Sequence, residues 1–267
     1  MIIFNNNSIG YVLDTDASKV IEAVRSTGVT ITPAMMHYAH YLISNMKNIG
    51  TWQLSNAVYG FVGGTAASHK FNWKDLRDVD AAFRLIFIGA GWVHSSTGSK
   101  PDGTVYANTF LNPSTSLIPN STHISMYSGT NVTTDIFNMS SASLDGNLLN
   151  LYANYNGEIY NSQYNGGNGR IRSAETRGDG YFLINRFSVN SNSTYRNGLL
   201  KGFSNSSTSI GSLPNANILL GSFTEIATNN RGLKQYRFST IGAGLTDTQS
   251  IQQSQIVTNA QSILNRL

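Results

Sequence analysis

Three features of the sequence predict a mainly β protein, an antiparallel β-sandwich or jelly roll. The 267 residues are 40% hydrophobic and 10% aromatic, which is enough apolar material for a sizeable core. Only 12% are charged, and 30 Asn, 32 Ser and 25 Gly supply the kind of polarity that forms turns and uncharged surface. From Trp52 onward, short apolar runs with a period of two alternate with turn sequences, which is typical of an all-β fold.

Residues 1–50 are predicted to be a helical segment that mediates attachment or oligomer contacts. Asp14 or Asp16 can cap a short helix, and Thr32 followed by Pro33 opens a longer one. In the longer helix, apolar residues recur at the spacing of one buried helix face.

Residues 51–267 are predicted to form the sandwich, including a C-terminal helix. Asn-Gly and Gly-Asp-Gly sequences divide this part of the chain into short strands. Thr246 begins a capping box for a helix over residues 247–266, whose apolar stripe should dock on the sandwich. Strands are expected at residues 58–62, 83–88, 106–111, 123–128, 148–155, 181–189, 195–201, 218–225 and 235–241.

The distribution of charge argues against nucleic acid as a partner. The formal net charge is +4, yet residues 101–169 contain four acidic and no basic side chains. The basic residues of 170–201 are interspersed with Glu175 and Asp179. Because nucleic-acid binding requires a surface that neutralises phosphates, we expect none here.

The sequence also predicts no membrane partner. No apolar run is long enough for a membrane span, and the first residues lack the pattern of a signal peptide. We therefore expect a protein made in the cytoplasm, or one exported by something other than a secretory signal. The chain has no cysteine, which excludes disulfides, thiolate metal sites and a cysteine nucleophile.

Candidate catalytic carboxylates are sparse, and we expect no catalytic residue. A glycosidase on a β-sandwich would need two carboxylates facing one sugar, and acids at alternate positions of a strand would provide them. Asp78 and Asp80 have that spacing, but they lie among basic residues, which favours a turn with local ion pairs. No second acid lies two residues from Glu22, Glu158, Glu175 or Glu225.

Histidines and loop carboxylates give only weak indications of a metal site, so no metal ligand is assigned. His37 and His40 lie three residues apart on the predicted second helix, and a surface or helix-packing position is the favoured interpretation. The other three histidines are expected in strands, without the sequence of a hydrolase nucleophile elbow. Calcium stays open as a cofactor, through loop oxygens of Asp135, Asn138, Asp145 and Asn147.

The densest aromatic and amide segment is the candidate glycan-binding site. Amides can hydrogen-bond sugar hydroxyls, and a tyrosine ring can stack on a pyranose. The alternative interpretation is a hairpin with ordinary cross-strand tyrosine pairs. The candidate site residues are Tyr152, Tyr155, Asn156, Tyr160, Tyr164 and Asn165.

Several segments of the chain match the pattern of one family. They are YGFVGGTA at 59–66, HKFN at 69–72, DAAFRL at 80–85, PDGT at 101–104, LNPS at 111–114, HISMYS at 123–128 and FSTIGAGLTD at 238–247. In these segments the chain resembles a group of tailed-phage and prophage structural proteins with a concanavalin A-like or laminin-G-like jelly roll.

The resemblance implies a concanavalin A-like sandwich in a structural component of the virion, on a tail fibre, a head fibre or the capsid surface. It implies other virion proteins as partners and a homo-oligomer, for which a trimer is one arrangement. It transfers no functional residue. Host surface glycan is the expected ligand, if the sandwich binds one. Two alternatives remain: a polysaccharide-degrading enzyme on the same fold, and a capsid decoration protein with no ligand.

Overall fold

The computed structural model describes residues 12–134, 137–163, 170–205, 212–225 and 232–267. Its strands are β1 (Ser55–Tyr59), β2 (Ile86–Ile88), β3 (Trp92–Ser95), β4 (Gly98–Pro101), β5 (Tyr106–Asn108), β6 (Thr122–Ser128), β7 (Met139–Ala142), β8 (Leu148–Tyr155), β9 (Glu158–Gln163), β10 (Ile171–Ala174), β11 (Gly180–Ser188), β12 (Ser191–Arg196), β13 (Leu199–Ser204), β14 (Leu219–Leu220) and β15 (Tyr236–Gly242). Its helices are α1 (Thr15–Ser26), α2 (Pro33–Asn48), α3 (Thr51–Leu54), α4 (Ala66–His69), α5 (Pro113–Ser116) and α6 (Asp247–Ile263).

These strands form two antiparallel sheets, which confirms the predicted mainly β sandwich. The first sheet has the order β13-β12-β11-β6-β15-β4-β3, with β1 also paired to β15. The second has the order β10-β9-β8-β7-β14-β5-β2. Alternate residues of each strand point inward, so one buried cluster joins the two sheets. It includes Tyr59, Met126, Phe182, Leu149, Leu151 and Leu220.

A second buried cluster lies between the outer face of the first sheet and the long helices. It contains Val20 of α1, Leu42 of α2 and Val257 of α6, together with Leu183 and Phe238 of the sheet. The molecule therefore has three layers, helices, first sheet and second sheet. The two N-terminal helices share a core with the sheet, and their role in attachment or oligomer contacts stays a prediction.

The helix boundaries follow local capping chemistry, as predicted. The Asp14 side chain accepts from the backbone N–H of Asp16 and Ala17. Thr32 accepts from the third residue of α2, which has Pro33 at its first position. Thr246 caps α6 in a reciprocal capping box, and this helix ends at Ile263 rather than at residue 266. No helix within the described residues is long and apolar enough to cross a membrane.

Five predicted strands are wrong in extent. Residues 58–62 overlap β1 only at 58–59, and residues 106–111 yield only the three residues of β5. Residues 83–88 yield only β2, because a 3-10 turn over Asp80–Ala82 precedes Phe83, which has a left-handed φ of 58°. Residues 195–201 divide into β12 and β13 at an Asn-Gly turn. Residues 218–225 contribute only the two residues of β14.

Candidate functional site

Three neighbouring strands align a row of aromatic and basic side chains on the outer face of the second sheet. Tyr152 of β8 faces Tyr160 of β9, and Tyr160 faces Arg172 of β10. Leu151 and Ile159 point into the core between the sheets, so the alternation of each strand sends the two tyrosines outward. The centroids of the two rings lie 5.3 Å apart.

Two guanidinium groups lie against these rings. The Arg170 carbon Cζ lies 5.7 Å from the centroid of Tyr152 and 5.5 Å from that of Tyr160. The Cζ of Arg172 lies 5.3 Å from the Tyr160 centroid. These distances are those of cation–π contacts, which hold a guanidinium in place without neutralising it. We call Tyr152, Tyr160, Arg170 and Arg172 the Tyr/Arg ladder.

Neither ladder arginine forms an ion pair with a carboxylate of the described ranges. Arg170 donates from Nε to the Ser162 hydroxyl over 2.7 Å. Arg172 is exposed. The nearest acid in the register is Glu158, whose Oε2 accepts from the Tyr160 hydroxyl over 2.9 Å. The ladder with Glu158 thus has two positive charges and one negative charge.

Burial differs along the ladder. Tyr152 is only 7% exposed, and its burial raises the pKa of the phenol although Arg170 opposes the shift. Tyr160 is partly exposed, and burial together with its bond to Glu158 raises its pKa as well. Both hydroxyls therefore stay protonated at neutral pH, and that of Tyr160 donates its one hydrogen to Glu158.

Aromatic side chains extend the ladder on both sides. Phe137 meets Tyr152 edge to face at a centroid distance of 5.3 Å and an interplanar angle of 90°. Phe223 lies 4.8 Å from Phe137, and Tyr155 lies 6.1 Å from Tyr160. The surface is thus a continuous aromatic band with two guanidinium groups at its β10 end.

The structure brings three of the six predicted site residues together: Tyr152, Tyr155 and Tyr160. Asn156 is exposed in the β8–β9 turn with a left-handed φ of 51°, so the turn explains this residue. Tyr164 and Asn165 lie outside the described residues.

Sequence reasoning missed four members of this surface. Arg170 and Arg172 begin the first basic block after residues 101–169. Their spacing of two residues places both on one face of a strand, and this was the only local indication in the sequence that they belong together. Phe137 and Phe223 come from loops, and nothing local to them in the sequence points to the ladder.

Apart from Glu158, which bonds to Tyr160 in the ladder, the acidic residues weighed for catalysis are occupied elsewhere. Asp78 and Asp80 both pair with Arg84, at 2.7 and 2.9 Å, which confirms the expected local ion pairs. Glu175 is buried and pairs with Lys201 at 3.1 Å, and Arg196 lies 3.5 Å from it. The Glu225 carboxylate accepts from the Asn108 amide over 2.7 Å.

The histidines serve packing and capping. His40 Nδ1 accepts from the backbone N–H of Asp14 over 2.9 Å, at the start of α1. His69 lies in α4 rather than in a strand, and its Nδ1 is 3.0 Å from Nδ1 of His94. His123 is fully buried in β6.

The described members of the possible calcium group are engaged in other bonds. Asn147 donates to Asp145 over 2.8 Å within the β7–β8 hairpin, and Oδ1 of Asn138 accepts from the N–H of Ala153 over 2.6 Å. Asp135 lies outside the described residues. Elsewhere in the described ranges, no three His, Asp or Glu side chains come together as a metal site.

Comparison with known proteins gives a likeness of fold. No family model and no curated protein matches the chain. Domain 4 of AbnA, a GH43 extracellular arabinanase from Geobacillus stearothermophilus, solved in complex with arabinotriose, is similar with a TM-score of 0.51 and 13% identity over 75% of this chain and 98% of that chain.

Two further solved structures are similar at lower scores. The binding domain of botulinum neurotoxin serotype D has a TM-score of 0.49 at 14% identity over 78% of this chain and 51% of its own. The CBM40 of Ruminococcus gnavus IT-sialidase, bound to α2,6-sialyllactose, has a TM-score of 0.40 at 10% identity over 54% of this chain and 90% of its own. At 13% identity, the likeness to the arabinanase domain shows a shared β-sandwich fold.

Proposed function

We propose that this protein is a surface component of a tailed-phage virion and that its sandwich binds an acidic glycan through the Tyr/Arg ladder. One observation carries the glycan assignment: Arg170 and Arg172 lie over tyrosine rings on an outer sheet face, with no carboxylate partner among the described residues. The likeness of fold to a domain solved with arabinotriose supports a saccharide as the class of ligand.

The chemistry of the ladder fits a sugar that carries a carboxylate. A guanidinium presents parallel N–H donors that match the two oxygens of a carboxylate. An arginine that already rests on a ring loses little conformational freedom when it binds. The partly exposed edge of Tyr160 and the neighbouring Tyr155 add apolar contact for the C–H face of a pyranose.

The virion assignment rests on the family resemblance of the sequence. A chain without cysteine needs no oxidising compartment, and an Asn- and Ser-rich surface suits contacts with other subunits and with saccharides. Both properties fit an external structural protein.

Binding is tested with trigalacturonic acid and its methyl ester, in which a methyl group on each carboxyl removes the negative charge. By titration calorimetry, we expect the acid to bind and the ester to bind at least about tenfold more weakly. The double variant Arg170→Ala/Arg172→Ala should lose the preference for the acid. Arg25→Ala, which removes an exposed helix arginine paired to Glu22, is the matched control and should bind as the parent does. Equal binding of acid and ester would reject the ladder as an acidic-glycan site.

Cleavage and virion location need separate measurements. Chain-length analysis of trigalacturonic acid after prolonged incubation distinguishes binding from the enzyme alternative, and we expect it to remain intact. Mass spectrometry of purified phage particles should find this chain in a fixed ratio to the capsid protein. Its absence from particles would reject the virion role and would not affect the conclusion on glycan binding.

A further inference from the structure

A polar cleft of about 440 Å³ lies at the rim of the first sheet, apart from the ladder. It opens where β6 and β12 end and β11 and β15 begin. Three arginine side chains and one carboxylate side chain line it, so its side chains carry an excess of positive charge. The charged lining residues are Arg177, Arg196, Arg237 and Asp179.

A β-bulge directs Arg237 into this cleft. In the pairing of β15 with β6, Tyr236 faces Ser128 and Phe238 faces Tyr127, so Arg237 is an extra residue opposite no partner. A bulge re-aims a side chain that regular alternation would have placed on a fixed face. The bulge interrupts the backbone hydrogen bonds between β15 and β6. Bulges are over-represented at sheet edges and next to active sites.

Arg237 differs from the other two arginines in its charge partners. Arg177 makes two bonds to the carboxylate of Asp179, at 2.9 and 2.6 Å. Arg196 donates to the backbone oxygen of Asp179 over 2.8 Å and lies 3.5 Å from Glu175. The only hydrogen bond from the Arg237 guanidinium to a described residue runs from Nε to the neutral Gln235 amide, over 3.1 Å.

The position of Arg237 is unfavourable without an anion. Its guanidinium is half-buried, and burial lowers its pKa although the charge of Asp179 acts in the opposite direction. Burying a cation without a carboxylate costs free energy. Its two terminal amino groups make no bond within the described part of the chain and provide a planar pair of donors.

Gly129 makes room for this guanidinium. A Cβ added at Gly129 would lie 2.2 Å from Nε of Arg237 and 2.2 Å from Oε1 of Gln235. Its backbone dihedral is not left-handed, so conformation does not require a glycine here. The close approach of the Arg237 side chain is what requires a glycine at this position.

We propose that Arg237 anchors the carboxylate or phosphate group of a polyanionic partner in this cleft, as an anion site separate from the Tyr/Arg ladder. Arg177 and Arg196 are held by Asp179 and add to the positive field without giving up their own partners. The site does not depend on the proposed glycan function, because it shares no residue with the ladder.

The probes are glucuronate, inorganic phosphate and neutral glucose, each titrated by calorimetry into the full chain. We expect an anion to bind and glucose not to bind. Glucuronate binding without phosphate binding assigns an acidic sugar, and the reverse assigns a phosphate source. Arg237→Ala should weaken anion binding at least about tenfold. Arg25→Ala, which lies in neither proposed site, should leave it unchanged. Anion binding that survives Arg237→Ala and is lost in Arg170→Ala/Arg172→Ala would assign the anion to the ladder and overturn the proposal.

Two more variants separate binding from folding. Gly129→Ala keeps every charge and should weaken anion binding by displacing the guanidinium. Arg237→Lys keeps the positive charge but lacks the planar pair of donors, so its anion affinity should lie between those of the parent and Arg237→Ala. Arg237→Ala should melt at the parent's temperature or above it, since it removes a poorly compensated cation. A lower melting temperature with unchanged anion binding would make Arg237 a structural residue and overturn the proposal.

Discussion

The outer faces of the two sheets both carry tyrosines, yet these tyrosines have different partners. On the first sheet, α6 covers Tyr181 and Tyr195. Gln253 of α6 donates to the Tyr181 hydroxyl over 2.7 Å, and Tyr195 donates to Asp247 over 2.6 Å. On the second sheet, Tyr160 bonds to Glu158 of its own strand and carries Arg172 on its ring.

The difference shows that the element covering a sheet face, rather than the residue type, decides whether a tyrosine is part of the core or accessible to a ligand. A sheet face must be covered by another layer or remain accessible to solvent and ligands. The helices bury the outer face of the first sheet, and Tyr181 has no exposed surface. The ladder is held by side chains of the sheet itself, which leaves Tyr160 and Arg172 accessible.

The largest expected contrast is between a buried ring under the helices and a ring of the ladder. Phe238 is fully buried beside Tyr181, with their centroids 6.4 Å apart. Phe238→Ala should lower the free energy of unfolding by about 4 kcal/mol, through lost burial and the cavity left behind. Tyr160→Ala should lower it by less than about 1 kcal/mol. Urea unfolding measures both, and similar values would show that the ladder is also part of the core.

A pH dependence of stability should arise from the first face. His123 donates from Nδ1 to the Ala243 oxygen over 2.6 Å, and burial lowers its pKa to about 4. Because the folded state binds the proton more weakly than the unfolded chain, this contribution is complete above pH 6.5 and is lost as the pH falls towards about 4. The loss should reach about 3 kcal/mol for this group.

The measurement is the free energy of unfolding at a series of pH values for the parent and for His123→Gln. The variant should be less stable at neutral pH and show a weaker dependence between pH 6.5 and 4. Part of the dependence should remain, because burial also lowers the pKa of His69 well below its ordinary value. An unchanged slope in the variant would mean that His123 accepts a proton in the folded state.

The sequence contains enough local information for the helix ends and for part of the ladder. Thr32 with Pro33 and the capping box at Thr246 are short-range signals, and both mark helix starts in the structure. Tyr152 and Tyr160 flank a single hairpin, so strand alternation alone places them on one face.

Features that depend on strand register could not be predicted in this way. Arg172 reaches Tyr160 only through the pairing of β10 with β9, and residues 164–169 separate those strands from each other in the chain. Arg237 points into the cleft because of a β-bulge, and no local sequence pattern predicts that bulge. Phe83 breaks a run of alternating apolar residues because Arg84 pairs with Asp78 and Asp80 and supports a turn there.

A smaller effect is expected from the polar link between the first sheet and the start of α6. Asn185 donates to the Leu245 oxygen over 2.7 Å and accepts from its N–H over 2.8 Å. Asn185→Leu should lower the free energy of unfolding by about 2 kcal/mol, because it leaves two buried backbone groups without partners. Asn161→Leu would not be a clean control, since that amide also bonds inside the core. Asn190 is exposed and its φ is not left-handed, so Asn190→Leu is a better control and should lower the free energy of unfolding less in the same urea experiment.

The smallest effect on stability is expected at Arg172, and it tests the comparison most directly. Within the described ranges, this exposed side chain has no ion pair with a carboxylate and lies against the Tyr160 ring. Arg172→Ala should therefore change the free energy of unfolding by about 0.5 kcal/mol, the contribution of an exposed cation–π contact. In the same variant, binding of trigalacturonic acid should fall severalfold. Were urea unfolding instead to show a loss comparable to that of Phe238→Ala, the second face would be a structural layer like the first, and its guanidinium groups would not be available to a ligand.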